Sequence, residues 1–182
     1  MKNSQKEVID FWFEETQPQQ WFQKNEDFDS LIKSRFLETY EAARNGYLDD
    51  WKKDADGCLS LLLLLDQFPR NMFRGTPQQF ATDGKALLIA KHAVSKGLDQ
   101  ILQPVKRRFI YLPFEHSEQM ADQKRSLELF EKVKGDDPLG YEYALRHYDV
   151  IDRFGRFPHR NKVLGRDSTP EEEAYLAEHG GF

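Results

Sequence analysis

Along most of the chain, apolar residues recur at intervals of three and four, which is the spacing of one face of an α-helix. The clearest stripe comprises Phe28, Leu31, Ile32, Phe36, Tyr40 and Ala43. Gly46 follows this stripe and is predicted to cap the helix at its C-terminus. No series of segments alternates apolar with polar residues, so the sequence predicts an all-α protein.

Capping signals divide this pattern into separate helices. Ser4 with Glu7, and Thr169 with Glu172, have the three-residue spacing of a capping box. Asp137 precedes a proline, a pair typical of an N-cap and a first helical turn. With the shorter segments between them, these boundaries predict a single domain over residues 1–182, built as an antiparallel array of about eight or nine helices.

Proline positions set further predicted boundaries. Residues 59–65 are apolar on every face and predict a buried helix, because leucine lacks the β-branching that favours strands. We expect this helix to end before Pro69. Pro77 is predicted to begin a helix that ends at Gly97, and Pro113 is predicted to begin a longer polar helix.

Composition and charge narrow the class of protein. With 39% hydrophobic residues, the chain of 182 residues has the material for one core. Its formal net charge of -5 argues against a nucleic-acid binder, which needs a basic face. The single cysteine, Cys58, cannot form an internal disulfide, and the N-terminal residues lack the apolar stretch of a signal peptide or membrane span. These features predict a cytoplasmic protein without a nucleic-acid or membrane partner.

Three segments, residues 66–74, 107–118 and 147–161, combine arginine with acidic and aromatic residues at predicted helix ends. Arginine suits planar, bidentate recognition of a carboxylate or a phosphate. We therefore expect the segments to converge on a polar pocket for an anionic small molecule or a peptide carboxylate. The predicted ligand-binding residues are Arg70, Asn71, Arg74, Arg107, Arg108, Arg156, Arg160 and Asn161.

Structural ion pairing is the alternative interpretation of these arginines. In three places an acidic residue stands four positions before an arginine, the favourable order on a helix. These pairs are Asp66 with Arg70, Asp149 with Arg153, and Asp152 with Arg156. Exposed pairs of this kind contribute only about 0.3–0.5 kcal/mol each, so both interpretations stay open.

Catalysis in such a pocket would need groups that transfer protons. Glu115 and Glu118 are predicted to share one helical face, so either could be a general base, with His159 as a proton donor. The alternative role for both carboxylates is to complement the positive end of a helix dipole. His147 falls on an apolar stripe and is predicted to be a core residue. No metal-ligand or nucleotide-binding motif is present, so neither a metal nor a cofactor is predicted.

The chain resembles the bacterial domain-of-unknown-function family numbered 924 in four motifs: FWF, LLLDQFPRNMFRGT, PFEHSEQ and HYDVIDRFGRFPHRNKVLGRDSTPEE. The resemblance spans nearly the whole chain. It implies a helical fold of the tetratricopeptide-like superfamily, with a concave face able to hold a peptide or a small molecule, and it implies no activity. The rival function is therefore a protein-binding module or homo-oligomeric scaffold with an aromatic groove of Trp12, Trp21, Phe22 and Trp51.

Overall fold

The computed structural model describes residues 2–181, a range that consists of helices and short turns without any strand. The predicted all-α class is confirmed. The α-helices are α1 Gln5–Asp10, α2 Glu26–Arg44, α3 Ala55–Leu62, α4 Phe68–Met72, α5 Asp83–Ser95, α6 Pro104–Glu115, α7 Met120–Glu131, α8 Pro138–Phe154, α9 Asn161–Leu164 and α10 Pro170–His179. None of the helices in residues 2–181 has both the length and the apolar character needed to cross a membrane.

Shorter helical turns connect these elements. Two are π-helical, Phe11–Glu15 after α1 and Leu63–Gln67 between α3 and α4. The 3₁₀ turns are Pro18–Gln20, Asp49–Lys53, Pro77–Phe80, Leu98–Ile101 and Pro158–Arg160. Because the turns are short, consecutive helices from α5 to α8 pack against each other in chain order.

The predicted helix caps are confirmed. The Ser4 and Thr169 hydroxyls accept hydrogen bonds from the backbone N–H groups of Glu7 and Glu172, at 3.3 and 3.2 Å. Both glutamates complete the box by accepting from the backbone N–H of the cap residue, at 2.7 and 2.8 Å. Gly46 follows α2 with a φ of 84°, a conformation that glycine adopts without a Cβ penalty.

The leucine-rich segment forms the centre of the main hydrophobic cluster, as predicted. Every residue from Leu59 to Leu65 is fully buried, and α3 packs against α1, α5 and α6. Burial of a leucine side chain stabilises the fold by roughly 1.5–3 kcal/mol. Burial also raises the pKa of the Cys58 thiol to about 11, so this cysteine is an unreactive core residue.

The prediction that this helix ends before Pro69 is wrong. The π-turn follows α3 directly, and its C-terminal neighbour Phe68 donates its N–H to the carbonyl of Leu63, the five-residue spacing of a π-turn. Pro69 then lies in the first turn of α4, where its missing N–H needs no helical partner. The chain therefore stays helical while the π-turn displaces the register of Asp66 and Gln67.

Two other proline boundaries are also wrong. Pro77 begins only a 3₁₀ turn, and α5 starts later, at Asp83. Pro113 lies inside α6, in its last turn, and has no N–H to donate to the preceding turn. As a result, Glu115 lies in the last turn of a helix and Glu118 lies beyond it, so the two do not share a helical face at a helix start.

A second, smaller hydrophobic cluster holds the C-terminal part of the chain. Val150, Ile151 and Phe157 form its buried centre, and Tyr175 of α10 packs against it. The Tyr175 ring contacts the Phe154 ring with centroids 5.2 Å apart. This cluster positions the segment 155–169, which connects α8 to α10 and includes the 3₁₀ turn Pro158–Arg160.

Substitutions at two helical glycines test the packing around α3. A Cβ on Gly57 would lie 1.9 Å from the Trp51 carbonyl oxygen, whereas a Cβ on Gly84 would meet no atom within 4 Å. We expect Gly57→Ala to lower the free energy of unfolding by at least about 2 kcal/mol. Gly84→Ala is expected to raise it by about 0.5–1 kcal/mol. Urea unfolding measures both, and equal effects would contradict the packing around α3.

Candidate functional site

A cavity of about 370 Å³ lies where the π-turn Leu63–Gln67, helices α4, α6 and α8, and the turn Pro158–Arg160 meet. We call it the central cavity. Its polar lining residues are Gln67, Arg70, Asn71, Arg74, Gln79, Arg108, Glu115, His116, His147, His159 and Arg160. Its apolar lining residues are Trp21, Phe22, Phe80, Leu112, Phe130, Leu139 and Tyr143, with Gly140 between the last two. Each of the three arginine-containing segments identified in the sequence contributes to the lining.

The predicted site residues divide into two groups. Those that line the central cavity are Arg70, Asn71, Arg74, Arg108, Arg160, Glu115 and His159. Those that do not line it are Arg107, Arg156, Asn161 and Glu118. Trp12, named for a rival aromatic groove, is fully buried, while Trp21 and Phe22 line the cavity.

Three of the cavity arginines make bidentate ion pairs with carboxylates from distant parts of the chain. The pairs are Arg70 with Asp83, Arg74 with Asp29, and Arg108 with Asp137. Both Arg70–Asp83 bonds measure 3.0 Å. Two parallel charge-assisted bonds hold a guanidinium in a fixed plane, so these arginines are compensated and oriented before any ligand enters.

Asp66 is a buried acid that contacts two residues of the cavity lining, His116 and Arg70. Its side chain is 1% exposed and its Oδ1 lies 2.8 Å from His116 Nδ1 and 3.3 Å from Arg70 Nη1. The Gln67 amide donates to Oδ2. Burial alone would raise the pKa of Asp66, but the charge of Arg70 and the hydrogen bonds from His116 and Gln67 outweigh it and lower the pKa. Asp66 is therefore ionised at neutral pH.

Arg160 has the weakest carboxylate contact of the four cavity arginines. Its nearest carboxylate oxygen, on Asp83, is 3.7 Å away. Its Nε has no hydrogen-bond partner among the described residues. The guanidinium lies 4.7 Å from the ring centroid of Phe80 and 4.4 Å from that of Phe157. Burial and the nearby Arg70 lower the pKa of Arg160 to about 10, so the group is still a cation at neutral pH.

Glu115 is a protonated acid at neutral pH. Its side chain is 3% exposed, and burial raises its pKa to about 8, against the opposing effect of Arg108. Its place in the last turn of α6 adds to this, because the C-terminal end of a helix dipole disfavours a negative charge. One carboxyl oxygen lies 3.2 Å from His147 Nδ1, and Oε2 has no hydrogen-bond partner in residues 2–181.

The three cavity histidines are neutral at pH 7. Burial, followed by the charge of Arg70, lowers the pKa of His116. Burial and His116 lower the pKa of His147, and burial with Arg160 lowers that of His159 to about 4. His147 Nδ1 lies 2.8 Å from the carbonyl oxygen of Tyr143, which can only accept, so Nδ1 carries the proton.

The comparisons with known proteins identify the family but no activity. The family model for bacterial proteins of unknown function, DUF924, matches residues 8–180. The chain belongs to this family. A solved structure of a protein of unknown function, ATU0120 from Agrobacterium tumefaciens, is similar with a TM-score of 0.91 and 44% identity, over 96% of this chain and 97% of that one. No protein with a curated description matches the chain.

In this DUF924 protein, three of the predicted site residues outside the cavity hold the segment 155–169 in place. Arg156 pairs with Glu172 at 2.7 Å, and the Asn161 amide donates to the same carboxylate. Glu118 pairs with Arg166 through two bonds of 2.8 and 2.9 Å and accepts the backbone N–H of Phe157. We call these two ion pairs the clasp. It positions the turn that carries Arg160.

The fourth residue outside the cavity, Arg107, has a local structural role. Its Nη2 donates to the carbonyl oxygen of Leu102 at 3.0 Å and to that of Gln100 at 3.4 Å. These bonds satisfy carbonyl groups in the turn before α6. Arg107 therefore ties that turn to the helix.

Of the three predicted pairs at four-residue spacing, only Asp66 with Arg70 forms. Arg153 contacts Glu171, and Arg156 contacts Glu172, both on α10. The pairs with Asp149 and Asp152 are therefore wrong. The reason is that α10 packs beside the end of α8 and offers carboxylates to the same arginines.

Several functional candidates were missed by sequence reasoning. His116 is not among the predicted site residues, yet it directly follows Glu115 at the end of α6 and both residues line the cavity. His147 was interpreted as a core residue; it is buried and also lines the cavity. Asp66 was interpreted only as a partner of Arg70. The four-residue spacing signalled that pair, but nothing local signalled its contact with His116, fifty positions away.

The clasp can be tested against an exposed pair of the same chemistry. Glu118 is half-buried, and its partners hold the pKa below its usual value although burial opposes them. We expect Glu118→Gln to cost about 1–3 kcal/mol of unfolding free energy at neutral pH. The cost should vanish as the pH falls through the lowered pKa of Glu118.

The matched control is Glu128→Gln, which removes an exposed pair with Arg125. This change should cost no more than about 0.5 kcal/mol. Chemical denaturation at pH 7 and at acidic pH measures both variants. A Glu118→Gln effect as small as that of the control would show that the clasp does not hold the segment.

Proposed function

We propose that this protein binds a small organic anion in the central cavity, with its charged group at Arg160 and its apolar part against the aromatic side chains. The observation that carries the proposal is the incomplete compensation of the Arg160 charge. A buried cation normally has a close carboxylate partner with good geometry. Arg160 has instead a contact of 3.7 Å and a cavity beside it.

The surrounding groups favour an anion over a cation. Arg70, Arg74 and Arg108 line the cavity, and each is balanced by a carboxylate in a bidentate pair, so none of these carboxylates is free to bind a cation. Glu115 is uncharged at neutral pH because its pKa is raised to about 8. In a site of low dielectric, the incompletely compensated charge of Arg160 attracts an anion more strongly than it would in water.

The apolar side chains indicate what else the ligand contains. Phe22, Leu139 and Tyr143 line the cavity and are 58%, 53% and 41% exposed, respectively. Large exposed apolar side chains beside a charged cavity are typical of a binding site. The volume of about 370 Å³ suits a small molecule, so we favour a carboxylate with an apolar group over a long peptide.

Phenylacetate is a suitable probe, because it joins a carboxylate to one aromatic ring. We expect it to raise the melting temperature of the wild-type protein in a concentration-dependent manner. Arg160→Gln should weaken its binding at least about tenfold, since a hydrogen bond to a charged group contributes roughly 1.5–3 kcal/mol. Acetate, which lacks the apolar part, should bind more weakly than phenylacetate.

The matched control is Arg125→Gln, because Arg125 is exposed, pairs with Glu128 on its own helix and does not line the central cavity. Calorimetric titration of both variants separates a specific loss from a general change in net charge. Equal phenylacetate affinities in wild type and Arg160→Gln, with both proteins folded, would contradict the proposed anion site.

The affinity should fall as the pH rises from 7 to 9. Glu115 ionises through its raised pKa of about 8, and the new carboxylate then opposes the bound anion. The charged groups that act on Glu115 are Arg108, Arg70, Asp66 and Asp137, and their charges do not change over this range. Glu115→Gln should remove most of the loss, as measured by titration at pH 7, 8 and 9. If the affinity of Glu115→Gln fell with pH as steeply as that of wild type, another group would cause the loss.

A further inference from the structure

We propose that the central cavity also catalyses proton transfer: His116, held by Asp66, removes a proton from the carbon beside the keto group of a bound 2-oxo carboxylate, while Glu115 protonates the keto oxygen. This inference rests on the proposed anion site, because the carboxylate of the substrate would bind at Arg160.

The contact between Asp66 and His116 determines which ring nitrogen of His116 can act as a base. Asp66 Oδ1 lies 2.8 Å from His116 Nδ1, and an ionised carboxylate can only accept a hydrogen bond. Nδ1 therefore carries the proton of the neutral ring, and Nε2 keeps the lone pair. A buried carboxylate that orients an imidazole in this way is the arrangement by which histidine serves as a general base. The His116 side chain lines the cavity.

Glu115 supplies the acid. It precedes His116 in the chain, lines the cavity, and has one carboxyl oxygen without a hydrogen-bond partner among the described residues. Burial keeps this carboxyl protonated and keeps the imidazole neutral. Opposite shifts of two neighbouring groups, one towards an acid and one towards a base, are the pattern found in enzymes that transfer protons.

The chemistry of the cavity limits the class of substrate. None of the lining residues is Ser, Thr or Cys, so acyl transfer to a hydroxyl or thiol is not favoured. An imidazole is too weak a base for the C–H bond of a simple carboxylate, but a keto group beside that bond acidifies it. A 2-oxo carboxylate combines this keto group with the anion that Arg160 would bind, and an apolar chain would lie against Phe22 and Leu139.

The step balances without any other reactant. The proton leaves C3 of the substrate for His116 Nε2, and the C–H electron pair forms the C2–C3 double bond. The π pair of the keto group moves to its oxygen, which takes the proton of Glu115. The products are the enol, an imidazolium and a carboxylate, and the reverse step restores the keto form. In D2O the proton on the imidazolium exchanges with solvent before the reverse step, so repeated cycles replace the C3 protons with deuterium.

The experiment follows this exchange by proton NMR. The probe is 4-methyl-2-oxopentanoate in D2O, with wild type, His116→Gln and the control His179→Gln. His179 is half-exposed near the end of α10 and does not line the cavity. We expect wild type and His179→Gln to accelerate loss of the C3 proton signal over buffer. His116→Gln should exchange about 100-fold more slowly than wild type while still binding the probe in a calorimetric titration.

Asp66→Asn tests the positioning role of that carboxylate. It should slow the exchange and move the acid limb of its pH profile to lower pH, because Asp66 raises the pKa of His116. A merely structural role would leave the pH profile in place. Binding of the probe without exchange in wild type, or equal exchange in wild type and His116→Gln, would overturn proton transfer alone. Failure of the probe to bind would overturn the anion site and this inference with it.

Discussion

The ionised carboxylate of Asp66 lies inside a leucine-rich core, and the arrangement of the cavity depends on how its charge is compensated. Moving an ion from water into a protein interior costs several kcal/mol unless partners with good geometry replace the water. Arg70 from the next helical turn and His116 from the end of α6 supply those partners. Losing one partner of such a buried group typically costs about 3–5 kcal/mol, so the α4 and α6 segments are held together at this point.

One partner of Asp66 is itself charged and needs compensation in turn. Arg70 needs a second carboxylate, which Asp83 at the start of α5 provides through two bonds. Asp83 also lies 3.7 Å from Arg160, at the far side of the cavity. Charge compensation therefore runs from Asp66 through Arg70 and Asp83, and it becomes weakest at the buried Arg160. Arg160 lines the cavity, so the least compensated cation lies where the proposed anion would bind.

Local signals in the sequence predicted the parts of the fold that depend on neighbouring residues. The capping boxes at Ser4 and Thr169 and the buried leucine helix follow from side chains within a few positions of each other. The helix boundaries predicted from prolines were wrong because the effect of a proline depends on its structural context. Pro69 fits a first turn created by the preceding π-turn, and Pro113 fits near a helix end, neither of which composition reveals.

The candidate site was predictable at the level of segments but not of contacts. Arginine-rich helix ends indicated which parts of the chain would meet, and all three contribute to the cavity lining. Which arginine is paired depends on acids far away in sequence. Arg156 pairs with Glu172 in the clasp, and Arg108 forms a bidentate pair with Asp137. Arg160 stands apart because its nearest carboxylate oxygen, on Asp83, is 3.7 Å away, and that distance is a property of the packed structure.

The hydrogen-bonded state of His116 tests the central claim most directly, because it reports whether a buried, ionised Asp66 holds the ring. Long-range proton–nitrogen correlation NMR of labelled protein at pH 7 distinguishes the two neutral tautomers from the imidazolium. We predict a neutral His116 with its proton on Nδ1. A proton on Nε2 alone would contradict it, since Nδ1 could then not donate to an ionised Asp66.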